Sequence, residues 1–335
     1  MLSRHGGMEK YGIFVRQKNI KVSNSIMEEK KEMDEGLFKS RSYLSCLNEG
    51  LKLPTRHILS LLRFLYPSLI AGAVVMGLWG VFFNQITVAL TRWMAASEPV
   101  VLSFPLFTLI ILSVLSLLAD SFYMGNVMTA VSRFATAWPA LRFGEAKREI
   151  FNASLRALTC TLVAVVVFSL LIVPVTLWLG AGNVWVTVVS YVLLLALGVP
   201  YCMVIMDYML GERRDFWCSL KRMKDGYQYW GAFFIILFCG GLIMGVLAAV
   251  SWLPAGILAY AGHASLMGVL EGDATDLPSY VPALVVFFFM LASVIANVFS
   301  WLTLFPLSYL YGSVEARKQE KASFEEEERR LQGLQ

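Results

Sequence analysis

Residues 157–206 read ALTCTLVAVVVFSLLIVPVTLWLGAGNVWVTVVSYVLLLALGVPYCMVIM, without one Asp, Glu, Lys or Arg. A helix of about 20 apolar residues crosses the hydrocarbon core of a bilayer. This stretch therefore predicts two crossings, parted at Gly180-Ala181-Gly182-Asn183, which has the composition of a tight turn. The run Leu162-Val163-Ala164-Val165-Val166-Val167-Phe168 does not alternate apolar and polar as a barrel strand does. A helix satisfies its own backbone in lipid, so the crossings are predicted to be helices.

Working outward, four more stretches lack charge: 64–91, 99–119, 226–270 and 277–314. Each supplies one span. The fold class expected is all-α, a polytopic membrane protein of six transmembrane helices, at about 64–90, 101–125, 157–179, 184–208, 229–254 and 281–310. The fifth is expected to end at Pro254, and the Gly- and Ala-rich residues 255–270 read as a surface loop rather than an interfacial or re-entrant segment. Residues 1–40 read as a disordered or mis-called N-terminal extension with Met27 as an ordinary start, 41–312 as the membrane domain, and 313–335 as a charged cytoplasmic tail.

Composition agrees. Of 335 residues, 57% are hydrophobic and only 16% charged, against about 25% charged in a soluble domain. Mean hydropathy is +0.63. These values exclude a water-soluble enzyme, a disordered tail protein and a nucleic-acid binder, so no nucleic-acid partner is expected.

The placement of basic residues sets the orientation. Residues 1–63, 120–156, 207–225 and the tail from Glu315 hold 27 of the 28 Lys and Arg, leaving only Arg92 on the other side. Basic loops stay in the cytoplasm. Both ends and the two basic connections are thus expected to be cytoplasmic. The outer loop at 255–280 carries Glu271, Asp273 and Asp276.

The segments before spans one, three and five read as basic amphipathic helices. Leu44, Leu47 and Leu51 share a helical face, as do Phe216, Leu220, Met223 and Tyr227, and more weakly Ile150, Ser154 and Leu158. Such helices lie in the interface. Lys147, Arg148, Lys221, Arg222 and Lys224 are the expected contacts to anionic headgroups. Spans two, four and six close on Phe122-Tyr123-Met124-Gly125, Tyr208-Met209-Leu210-Gly211 and Tyr309-Leu310-Tyr311-Gly312. Aromatics suit the interfacial belt and glycine can end a helix, so three repeats of interfacial helix plus hairpin are expected.

Ionisable residues inside a membrane are the usual functional hint. Asp120 and Asp207 fall at the cytoplasmic ends of spans two and four, and Asn297 lies near the middle of span six. They read as interfacial ion pairs and an interhelical hydrogen bond, or as a shared polar cavity. Gly241 and Gly245 form a GxxxG, and Gly72, Gly77 and Gly80 recur in span one, which predicts close helix packing or a dimer contact. No H-E-x-x-H, G-x-S-x-G or Walker motif occurs. Three histidines and five cysteines, none in C-x-x-C, suggest no metal site, cofactor or redox dithiol.

The run Pro306-Leu307-Ser308-Tyr309-Leu310-Tyr311-Gly312, with Glu315, Arg317 and the basic helices before each hairpin, resembles a loose set of bacterial six-helix inner-membrane proteins. These are similar to the membrane domain attached to some glycerophosphodiester phosphodiesterases, and to uncharacterised relatives in Bacteroidota. The resemblance covers roughly residues 40–317. Gly312-Ser313 stands where such proteins often carry an acidic residue. Their soluble phosphodiesterase domain has no counterpart in these residues, so no catalytic residue carries over. The resemblance implies the architecture and an accessory membrane role. The function expected is a non-enzymatic protein that organises lipid or membrane-protein partners, itself included as a homo-oligomer. The alternative is a transporter or channel for a lipid-like or small neutral solute.

Overall fold

The structure, a computed structural model, describes residues 37–96, 103–136, 143–180, 183–270 and 278–332. The proposed extension at 1–26, the turn residues Ala181 and Gly182, and the acidic loop residues Glu271, Asp273 and Asp276 lie outside them. Among the described residues 93% are helical and none form strands. The order is α1 (Tyr43–Arg56), α2 (Ile58–Ala96), α3 (Ser103–Thr136), α4 (Phe143–Leu179), α5 (Val184–Leu193), a π-turn (Leu194–Gly198), α6 (Val199–Leu210), α7 (Phe216–Lys221), α8 (Met223–Gln228), α9 (Trp230–Leu270) and α10 (Val281–Gln332). Six of these helical stretches are long and apolar enough to cross a membrane: α2, α3, α4, α5 with α6, α9 and α10. The protein is an all-α polytopic membrane protein.

Local chemistry explains the breaks. Ser42 caps α1 by accepting from the Ser45 amide at 3.3 Å, and Asn183 caps α5 by accepting from the Trp185 amide at 3.0 Å. Gly180 turns the chain out of α4 at φ +85°, a left-handed value that suits glycine. The π-turn in the fourth span precedes Pro200, which has no N–H to give back. The Leu195 carbonyl instead accepts the Trp230 indole N–H at 3.1 Å, pinning that span to the start of α9.

Several helices overrun the spans expected from charge. The fifth does not end at Pro254: α9 runs unbroken to Leu270, and Ala255 is fully buried. Residues 255–270 are therefore helix, not a surface loop. A proline costs one backbone bond, but these apolar residues have no water-facing alternative that would repay unwinding. Likewise α10 continues through Gly312 to Gln332, and α3 through Gly125 to Thr136. Charge marks where hydrocarbon stops, not where the backbone stops being helical. Of the three glycines expected to end helices, only Gly211 does so. At Gly125 and Gly312 an added Cβ would fall 2.4 Å from the Ser154 amide nitrogen and 2.2 Å from the Leu37 carbonyl oxygen. There glycine permits close approach of another chain segment.

The three repeat units also take different local forms. In the first, α1 is separate from α2. In the second, the basic segment is simply the first turns of α4. In the third it splits at Arg222 into α7 and α8. The face of α1 packed on the bundle is Cys46, Gly50 and Pro54, while Leu44, on the face expected at the interface, is exposed.

The core has α10 at its centre, flanked by α9, α2 and α1, with α3 pairing both α2 and α4. Phe64, Leu65, Val127, Ile150, Trp301 and Phe305 fill one cluster. Met128, Met203, Met206, Phe233, Leu310 and Tyr311 fill the other. Gly72, Gly77 and Gly80 meet Asn297, Met290 and Phe289 of α10, as their recurrence predicts. Among the described residues nothing lies within 4 Å of a Cβ added at Gly241 or Gly245; the neighbouring Gly240 is the one that meets α10. The described N-terminal segment is latched to α10. The Arg41 amide donates to Ser313 Oγ at 2.9 Å, Arg317 donates to the Arg41 carbonyl, and Arg317 stacks over Tyr43 at 5.2 Å. Away from this basic end the packing opens, and α5 buries no residue at all.

Candidate functional site

Two polar assemblies occupy the basic end. The first joins four helices, α6, α7, α8 and α10. Asp207, near the end of α6, accepts from Tyr311 at 3.0 Å and from Ser219 at 2.7 Å, and faces Arg222 at 3.4 Å. Arg222, in the break between α7 and α8, also binds Asp225 at 2.7 Å and Glu315 of α10. Lys318 closes the network on Asp225. Burial opposes charge on the Arg222 guanidinium, but its bond to Glu315 and the carboxylates of Asp207 and Asp225 outweigh that and raise its pKa above the ordinary value. One planar guanidinium thus serves three carboxylates, a task its fork of donors suits.

The second is a cleft of about 500 Å³ between α3, α4 and the link after α6. Its polar lining is Thr129, Ser132 and Arg133 from α3; Glu149, Asn152 and Arg156 from α4; and Arg214 from the link. Spacings of three and four residues bring each helix's contributors onto one face. Arg133 donates to Glu149 at 2.8 Å and to the Glu145 carbonyl at 3.3 Å. Arg156 and Arg214 are close enough to repel one another. Three guanidinium groups line the cleft with one carboxylate, Glu149, which bonds Arg133 and also lies in the field of Arg214, so the lining carries an excess of two positive charges. Arg214 holds φ +50°, a left-handed value that a side-chain-bearing residue seldom adopts.

The structure separates the residues expected to form a polar cavity. Asp207 is locked in the ion network. The Asn297 side chain faces Gly72, while its carbonyl accepts from Tyr123, which also meets Ser300 Oγ at 2.7 Å. Asn297 and Tyr311 are fourteen residues apart on α10, roughly 21 Å at 1.5 Å per residue. Asp120 is not at a helix end: it lies midway along α3 and is exposed on the bundle surface. The three do not converge. Arg222, expected among headgroups, is instead an internal ion partner, because the break after α7 turns it toward α10. Lys147, Arg148, Lys221 and Lys224 are exposed.

The sequence reading missed Arg133, Glu149, Asn152, Arg156 and Arg214 as a group. The signal was present in part, since Glu149, Asn152 and Arg156 follow helical spacing beside the named Lys147 and Arg148. Their meeting with Arg214 is a tertiary fact. The chain matches no family model, no curated protein and no solved structure.

Proposed function

We propose that this is a non-enzymatic integral protein of the bacterial cytoplasmic membrane, similar in architecture to the six-helix proteins named above. Its basic end faces the cytoplasm and organises anionic lipid, or a membrane partner, at that leaflet. The observation that carries this reading is the exposure of Lys147, Arg148, Lys221 and Lys224 at one end of the bundle. Each basic side chain near an anionic surface contributes about 1 kcal/mol, so four give an attraction of about 4 kcal/mol, on the order of a thousandfold enrichment. The transport reading has less support, because Asp120, Asp207 and Asn297 stand apart.

The test is extraction into polymer-bounded bilayer discs from a membrane of mixed headgroups, with the retained lipids counted by mass spectrometry. Wild type is expected to carry an excess of anionic lipid over the bulk membrane. The quadruple Gln variant of those four positions is expected to lose most of it. Equal enrichment in the variant would overturn the reading.

A further inference from the structure

We propose that the cleft between α3, α4 and the α6–α7 link binds one phosphate-bearing anion, with Arg156 and Arg214 as its clamp. This deepens the headgroup reading above and rests on it only for the source of the ligand. Four observations meet here. The cleft has room for a phosphate ester, about 500 Å³. Among the described residues, Arg156 and Arg214 form no ion pair, although each lies in the field of the other. Glu149, bonded to Arg133, is the one carboxylate lining the cleft and the only anion there that Arg214 feels, so like charges held together with so little counter-charge are a site for an added anion. Arg133 is already engaged by Glu149, so the pair left over is the pair that binds. The Arg214 backbone is held at a left-handed φ of +50° while its side chain lines the cleft, the kind of local strain that binding sites retain.

Donor chemistry selects the ligand. Guanidinium forks match the tetrahedral oxygens of phosphate and bind two at a time. Asn152 and Ser132 line the same wall and carry further polar groups. The position selects the size. Arg156 is the last charged residue before the uncharged stretch that starts at residue 157, which puts the cleft at headgroup depth. Exposed Phe151 and Leu155 on α4, and exposed Trp217 on α7, lie beside the arginine-bearing segments. A phosphomonoester such as a phosphatidic acid headgroup and free inorganic phosphate share the chemistry required.

The experiment uses the full chain in neutral maltoside detergent, titrated calorimetrically with inorganic phosphate and, separately, with water-soluble dihexanoyl phosphatidic acid. We expect one site per chain. Binding of the phosphatidic acid alone assigns the site to a lipid headgroup; binding of both assigns it to phosphate itself. Arg156→Gln and Arg214→Gly are each expected to weaken binding at least tenfold. The glycine variant relieves the left-handed backbone, so a folding defect cannot stand in for lost binding. Glu149→Gln removes the competing carboxylate and is expected to tighten binding severalfold, a gain that misfolding cannot mimic. The Gln variant of Lys147, Arg148, Lys221 and Lys224 is expected to keep this single site while losing the broad lipid enrichment, so the two readings fail separately. No binding of either probe at millimolar concentration, or wild-type affinity in both arginine variants, overturns the proposal.

Discussion

Replacing Arg222 with Gln should be the most damaging single change at the basic end. The guanidinium reaches Asp207 of α6, Asp225 of α8 and Glu315 of α10, with only 25% of its side chain exposed. The three carboxylates are 15%, 19% and 23% exposed, so water replaces little of what is lost. Removing it leaves three negative groups beside Lys318 alone. Breaking a buried pair by deleting one partner costs roughly 3–5 kcal/mol. The partial exposure here lowers the expectation to about 2–4 kcal/mol, since surface pairs contribute only about 0–1. Reversible unfolding in mixed detergent micelles, followed by tryptophan fluorescence, measures it. Adding Glu315→Gln to the Arg222→Gln background should recover at least about 1 kcal/mol, because it removes an unpaired charge rather than a bond. Arg222→Lys keeps the charge but not the fork, and should fall between. A loss below about 0.5 kcal/mol for Arg222→Gln, the level of an ordinary surface change, would refute the account of this network as a clamp.

Other expectations follow from single positions. Gly50→Ala should destabilise by about 1–3 kcal/mol, because its Cβ would sit 2.5 Å from the Pro306 Cα, which is backbone and cannot swing aside; Gly241→Ala, with nothing within 4 Å, should be neutral or stabilising by up to about 1 kcal/mol. Thermal midpoints of the two variants in one detergent check the pair. Burial, then the Arg56 charge, lowers the His57 pKa below 6.5. The unfolded chain therefore binds that proton more tightly, so His57 contributes stability that is full above pH 6.5 and fades as pH falls toward its folded pKa. His57→Gln should flatten the pH dependence of the midpoint in that acid window, and an unchanged profile would count against it. Burial raises the Cys46 thiol pKa, so a maleimide at pH 7 should leave Cys46 unmodified until the protein is unfolded, as peptide mass spectrometry would show.

How much was legible in the sequence depended on the range of the physics involved. Hydrocarbon excludes charge locally, residue by residue. The uncharged runs therefore announced six crossings, and the bias of Lys and Arg separated one end of the bundle from the other. Small residues at Gly72, Gly77 and Gly80 also spoke truly, because a helix that must approach another closely has little other choice. Gly241 and Gly245 meet no described residue of this chain, since spacing does not say which way a face points. The helix end was misplaced at Pro254 because a backbone in lipid stays helical through a residue that would break it in water, and at Gly312 because that glycine serves the close approach of Leu37 rather than a helix stop.

The sequence by itself determined that this chain is a helical membrane protein with six stretches apolar enough to cross a bilayer, because the transfer cost of a charge belongs to the residue. Only the tertiary structure decided which charges are spent on one another. Arg222 and Arg214 lie eight residues apart in one short basic connection, and nothing local distinguishes them. The break after α7 delivers Arg222 to three carboxylates, while the left-handed turn at Arg214 delivers it to another arginine. Electrostatic pairing acts between neighbours in space, and the packing of α3, α4, α6 and α10 chose those neighbours.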